Sequence, residues 1–170
     1  MTELKKLTLD DGEDVFGMLQ EIPKEENGLM NGANSLSFDE FRGWLAKQYR
    51  LSLQEGILDG WKVPSTTYWL YADGVPVGFG KLRHCLTDAL RAAGGHIGYA
   101  VAPRYRGKGY GRALLRLLLE EAKELGIEKA LLTIRRDNEA SLAVALANGG
   151  VITDENDERF YVWIDTGKEP

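Results

Sequence analysis

The stretch that decides how this chain is read is RYRGKGYGRALLRLLLEEAKELG, residues 104–126. Gly107, Gly109 and Gly111 alternate with Lys108 and Tyr110 just after Arg106, and an apolar-periodic segment follows at once. The spacing predicts a helix over 109–125, closed by Gly126 as the residue after its last turn. A helix N-terminus leaves backbone N–H groups without internal partners, and aligned peptide dipoles add partial positive charge there. Glycines let the backbone come close to an anion, and Arg106, Lys108 and Arg112 add formal charge. The stretch therefore reads as a phosphate or pyrophosphate site. A plain glycine turn into a helix is the bland alternative.

Two common phosphate loops are excluded. A Walker A loop needs Lys followed by Ser or Thr, and Lys108 is followed by Gly109. A dinucleotide fingerprint needs G-x-G-x-x-G opening an early βαβ unit. Here the glycines fall at other intervals and the loop lies in the second half of the chain.

Working outward, the flanking segments predict one α/β domain spanning 1–170. LKKLTLD suggests a first strand over 3–9, and Asp10 or Asp11 can cap a helix to about Ile22. KEENGLMNGANSL reads as a polar loop. Ser37 caps a second helix with Phe38, Phe41, Leu45 and Tyr49 on one face. The residues from 51 to 63 show no clear pattern. TTYWLYAD and VPVGFGKLRHC are joined at Asp73-Gly74, a hairpin signal. A short helical turn over 86–93 and a strand in GGHIGYAVAP lead into the glycine loop. After the long helix come a buried strand, KALLTIRR, a short helix in NEASLAVALANGG, and a closing pair, GVITD and RFYVWID. The expected architecture is a central, mixed but mostly antiparallel sheet of six to seven strands flanked by about four helices.

Composition narrows the function. The 170 residues carry a net charge of −5 with 44% apolar residues. That balance disfavours nucleic acid as a partner. No apolar run reaches the length of a membrane span, and no signal core opens the chain. One cysteine, Cys85, allows no internal disulfide, and two histidines without a ligand-type spacing suggest no metal. A cytoplasmic location is expected, as a monomer or homodimer.

The combination R-x-x-G-x-G, met by Arg106, Gly109 and Gly111 behind a strand ending YAVAP, resembles the acetyl-CoA motif of the GNAT superfamily of N-acetyltransferases. The resemblance continues in N-x-x-S, Asn138 and Ser141, at the start of the helix after KALLTIRR. The order of elements is similar over nearly the whole chain. GGHIGYAVAP, RGKGYG, DNEAS and NGG look most like a bacterial subgroup known only as predicted acetyltransferases.

The resemblance implies acetyl-CoA as cosubstrate. It places the pyrophosphate on the backbone of Arg106, Gly107, Lys108, Gly109, Tyr110, Gly111 and Arg112. It places the pantetheine arm beside Ala100 and Val101, with Asn138 and Ser141 near the acetyl end. Asn138 is equally a plain helix cap. The chemistry implied is direct attack of a primary amine on the thioester, which calls for a proton acceptor and a donor. Many relatives carry a Tyr seven residues after the Asn; Ala145 stands there. His96 occupies the place of a frequent catalytic Glu, and its ordinary pKa suits a base at neutral pH. Which face of the strand enters the cleft is left open by the sequence. Tyr161 and Tyr99 are candidate proton donors.

The acceptor, a small-molecule or peptide amine, falls to the first two helices, their loop and the final hairpin. Glu26 and Asn27, with Glu25, can hold an ammonium group, and His84 lies on a neighbouring strand. Trp44, Trp61, Tyr68, Trp69 and Trp163 can line a pocket or fill the core. The net acidity fits a cationic amine. Two other readings compete: a non-catalytic acyl-CoA-binding or sensing module, kept in view by Ala145, and a nucleotide-binding regulator.

Overall fold

The computed structural model describes residues 1–167. Two half-sheets meet at a single point, and the gap between them is the feature that positions the site. The first half-sheet has the order β1-β4-β5-β6, from β1 (Thr2–Lys6), β4 (Ser65–Ala72), β5 (Val75–Arg83) and β6 (Ile97–Val101). The second has the order β7-β9-β8, from β7 (Lys129–Arg135), β8 (Val151–Glu155) and β9 (Arg159–Asp165). Every ladder within them is antiparallel. The step from β6 to β7 is instead a helix crossover, the kind of connection that parallel neighbours require. A two-residue-per-strand hairpin, β2 (Glu25–Glu26) and β3 (Leu29–Met30), stands apart.

Local chemistry explains these elements. Asp73 and Gly74 both take positive φ, 49° and 82°, as a tight hairpin turn between right-twisting strands demands. Helix α2 (Phe38–Ser52) opens with a full capping box, Ser37 receiving the Glu40 N–H and Glu40 receiving the Ser37 N–H. Helix α1 (Glu13–Glu21) lacks the expected aspartate cap. Gly12 is its N-cap, and the Asp11 carboxylate accepts instead from the Thr8 N–H and the Trp69 indole. A tertiary donor wins over the local one. Helix α3 (Asp88–Ala92) is the short helical turn, capped by Thr87. Helix α4 (Tyr110–Glu124) is the long helix, and α5 (Glu139–Ala147) begins at an Asn138 cap that accepts from the Ser141 N–H. The described residues thus hold five α-helices against the expected about four, with α3 falling where the short helical turn was expected.

Two cores lie on opposite faces. One packs Leu114, Leu115, Leu118 and Ala122 of α4 against Leu70, Leu82, Val101 and Ile134. The other packs Val15, Met18 and Leu19 of α1 and Phe41 and Leu45 of α2 against Trp69, Phe79 and Ala100. Of the large aromatics, Tyr68 and Trp69 are therefore core, and Trp44 packs at the edge of the second core against Phe41 and Trp69. The loop read as polar is tied down by its own asparagines. The buried Asn31 amide donates to the carbonyls of Leu19 and Ile22, and Asn34 donates to Gln20 and Ile22, so both cap the end of α1.

Candidate active site

Beyond residue 97 the half-sheets separate. The last contact between them is made by His96, whose N–H donates to the Leu131 carbonyl at 2.8 Å. Leu131 N–H returns a bond to His96 Nδ1 at 2.9 Å. Gly95 makes the approach feasible. Its φ is +61°, and a Cβ there would stand 2.4 Å from the Leu131 carbonyl oxygen. Past this pin, β6 pairs only with β5 and β7 only with β9.

The separation opens a cleft of about 860 Å³, within the size range of small-molecule sites. Ile97 to Val101 line one wall and Leu132 to Arg135 the other. The floor adds Asn138, Ser141 and Val144 of α5. One end reaches the glycine loop, where Glu26 stands beside Arg106, and the lining extends past Asn27 to Trp61, Lys81 and Arg83.

At the loop end the backbone does the work. Gly109, the N-cap of α4, has φ 84° and ψ 0°, and Gly107 has φ 75°. The backbone N–H groups of residues 107 to 112 donate to nothing among the described residues. Six consecutive free amides at a helix mouth are a ready cradle for two phosphates. The three cations divide in role. Arg106 turns away from the helix mouth: its Nε donates to the Val101 carbonyl at 2.9 Å and its Nη2 to Glu26 at 2.7 Å. It thereby straps the loop to β6 and to the β2–β3 hairpin. Lys108, beside the Tyr105 ring, and Arg112 pair with no acid among the described residues.

In the middle of the cleft, Tyr99 OH lies 3.4 Å from Ser141 Oγ. Burial pushes the Tyr99 phenol pKa up, so it keeps its proton at neutral pH. The Asn138 side-chain oxygen caps α5, while its NH₂ has no partner among the described residues. Ala145, at the position where the family resemblance led to the expectation of a Tyr, is fully buried in the core with α4.

Several residues singled out in the sequence fall elsewhere. His96 is buried and faces Leu131 and Trp163 rather than the cleft. Burial, with Arg91 and Arg83 nearby, lowers its pKa to about 4. Tyr161 OH donates to the Ala92 carbonyl at 2.8 Å and accepts from Asn156. His84 Nε2 bonds the Thr66 hydroxyl at 2.7 Å. None of the three lines the cleft. Glu26, Asn27, Ala100, Val101, Arg106, Gly107, Gly109, Tyr110, Gly111, Arg112, Asn138 and Ser141 all do. Lys108 is on the loop with its side chain outside the lining.

With this architecture in view, a family match becomes decisive: residues 31–149 fit the Acetyltransferase (GNAT) family. The chain belongs to that family. Solved structures share the fold of this GNAT protein at low sequence identity. The N-acetyltransferase PseH of Campylobacter jejuni, solved in complex with acetyl coenzyme A, is 15% identical with a TM-score of 0.62, covering 97% of this chain and 99% of that one. YncA from Salmonella typhimurium, a putative acetyltransferase solved with acetyl-CoA, is also 15% identical, with a TM-score of 0.63 and coverage of 100% and 96%. The PaiA N-acetyltransferase of Thermoplasma acidophilum, in complex with coenzyme A, is 19% identical, with a TM-score of 0.59 and coverage of 97% and 99%. No curated protein matches this GNAT chain. No helix among its described residues is long and apolar enough to cross a membrane.

Sequence reasoning missed Lys81 and Arg83. A signal was present. Phe79, Lys81 and Arg83 share one face of β5, and Phe79 is core. Cations in phase with a core residue mark a wall that is buried but not apolar.

Proposed function

We propose that this protein transfers the acetyl group of acetyl-CoA to a primary amine by direct attack. The observation that carries the reading is the run of six unpartnered amides, 107 to 112, opening onto a cleft between two half-sheets. The residues present suit the cosubstrate. The loop amides with Lys108 and Arg112 would hold the pyrophosphate. The edge of β6 at Ala100 and Val101, where Arg106 already holds the Val101 carbonyl, would run beside the pantetheine arm, an extended chain that pairs with backbone as a strand does. Asn138 NH₂ is free to donate near the thioester. The Salmonella and Campylobacter neighbours, solved with acetyl-CoA, support this assignment.

In the reaction, the amine nitrogen bonds the acetyl carbon, the carbon–sulfur bond breaks, and the thiolate takes a proton. Tyr99, protonated and 3.4 Å from Ser141, is the donor this cleft offers. On this reading Tyr99 takes the donor role that Ala145 has no hydroxyl to fill. Glu26 is the carboxylate of the cleft lining, and it accepts the ammonium proton directly or through water. His96 has the wrong position for that task. Its Nδ1 is taken by Leu131 N–H, so it acts as the pin between the half-sheets.

Calorimetric titration with acetyl-CoA, CoA, ATP and NAD tests the reading, followed by thiol release with an amine panel. CoA-selective binding with turnover is expected. Binding without turnover of any amine would favour the non-catalytic acyl-CoA module, and preference for ATP or NAD would overturn both.

A further inference from the structure

Lys81 and Arg83 sit two residues apart on β5, with side chains on the cleft side of the sheet. Neither makes a salt bridge among the described residues. Arg83 Nη1 donates to the carbonyls of Gly94 and Gly95, at 3.1 and 3.2 Å. Its Nε and Nη2 have no partner among the described residues, and they form the side-on edge of the guanidinium that fits two oxygens of one anion. Lys81 has no hydrogen-bond partner among the described residues. Arg83 and Lys47 of α2 add to the positive field, and desolvation brings the Lys81 pKa down to about 8. Two half-buried cations without counter-ions are costly, and a fold that only needed a packed wall would replace them. The remaining wall is apolar: Leu29, Met30, Trp61, Ala89 and Leu90. The carboxylate of the lining is Glu26, at the Arg106 side.

We infer that the acceptor is an amine carrying its own anionic group, a carboxylate or a phosphate, which docks on Arg83 and Lys81. This rests on the acetyltransferase reading above and reverses the expectation of a purely cationic amine. The negative net charge of the whole chain hides a locally positive acceptor wall. An acceptor of this kind is held at both ends: its anion on the β5 cations and its ammonium toward Glu26.

The experiment follows thiol release with matched amines. Phenylalanine is set against phenethylamine, which differs only by the carboxylate, and glucosamine 6-phosphate against glucosamine, with spermidine as polycation. The anionic member of one pair is expected to lead its partner by about 30-fold in kcat/KM. Which pair responds identifies carboxylate or phosphate. Arg83→Gln is expected to remove that preference mainly through KM. Lys81→Met, which keeps the stem and removes the charge, does the same if Arg83→Gln does not fold. Preference for spermidine or for the partners that lack the anionic group, undiminished in Lys81→Met, overturns the inference. A panel silent throughout is settled by titrating malonate and inorganic phosphate into the acetyl-CoA complex at fixed ionic strength. Saturable binding lost in Lys81→Met supports the anion site, and no binding of either overturns it. Failure to bind acetyl-CoA at all would instead strike the underlying acetyltransferase reading.

Discussion

The two ends of the cleft are built from different materials. The loop end is made of backbone: six amides, two glycines at positive φ and a helix mouth. The acceptor end is made of side chains that arrive from β2, β5, α3 and the 51–63 segment. Backbone sites are indifferent to most substitutions but fail when a Cβ intrudes. Side-chain sites can be rewritten one residue at a time. On the proposed reading, the contrast separates a backbone-built cosubstrate end from a side-chain-built acceptor end.

The sharpest way to break the comparison is Gly109→Val. No protein atom lies within 4 Å of a Cβ there, so the substitution meets only the ligand and the positive-φ strain of a β-branched residue. Acetyl-CoA affinity measured by calorimetry is expected to fall at least ~100-fold, about 2.7 kcal/mol. The melting temperature should drop by only a few degrees. Unchanged affinity would end the backbone-cradle assignment.

Next comes the pin between the half-sheets. His96 is held at a pKa of about 4, against an ordinary value of 6.5. Above pH 6.5 it is neutral in both folded and unfolded chains, and its contribution is complete. As pH falls from 6.5 toward 4 the unfolded chain takes up the proton first, so stability is lost across that window, by about 2–3 kcal/mol. Denaturant unfolding from pH 7.5 to 4 should show this slope, and His96→Gln should flatten it. A side-chain nitrogen titration near pH 6.5 in the folded protein would contradict the buried acceptor role.

Tyr99→Phe tests the middle of the cleft. Turnover is expected to fall about 10-fold with acetyl-CoA affinity nearly unchanged, since in the proposed reaction the hydroxyl acts on the leaving group rather than on binding. Wild-type turnover would hand the proton to Ser141 or solvent.

The smallest effect is a gain. Lys81→Met removes a desolvated ammonium from the acceptor wall. Lys81 has a folded pKa of about 8 against an ordinary 10.5, so burial penalises its charged form most fully below pH 8. That penalty fades as pH rises from 8 to 10.5. A rise in melting temperature of about 2–4 °C is expected at pH 7 and less at pH 10. A fall would mean that Lys81 has a stabilising partner.

The same division explains what could be read in advance. The glycine loop, the Asp73-Gly74 hairpin, the α2 capping box and the Asn138 cap are local, each carried by a few adjacent residues. The cleft as a whole joins residues from Glu26 to Arg159, and only the folded chain brings them together. His96 illustrates the limit well. Strand alternation gave two faces, but the side chain serves neither, because it completes a bond to Leu131 across the junction. Arg106 is a second case. Its charge suggested the phosphate, while its guanidinium is spent on Val101 and Glu26.

The parted sheet has one more consequence, for solubility. A broken sheet exposes four strand edges in place of two, and naked edges invite pairing with other molecules. Here the two new edges, β6 and β7, face each other across a cleft pinned at its base by His96 and Leu131 rather than facing outward. The outer edges carry charge instead: Glu3, Lys5 and Lys6 on β1, and Asp154 and Glu155 on β8. The cleft that makes room for chemistry is thus also a way of keeping reactive backbone out of reach of neighbouring chains.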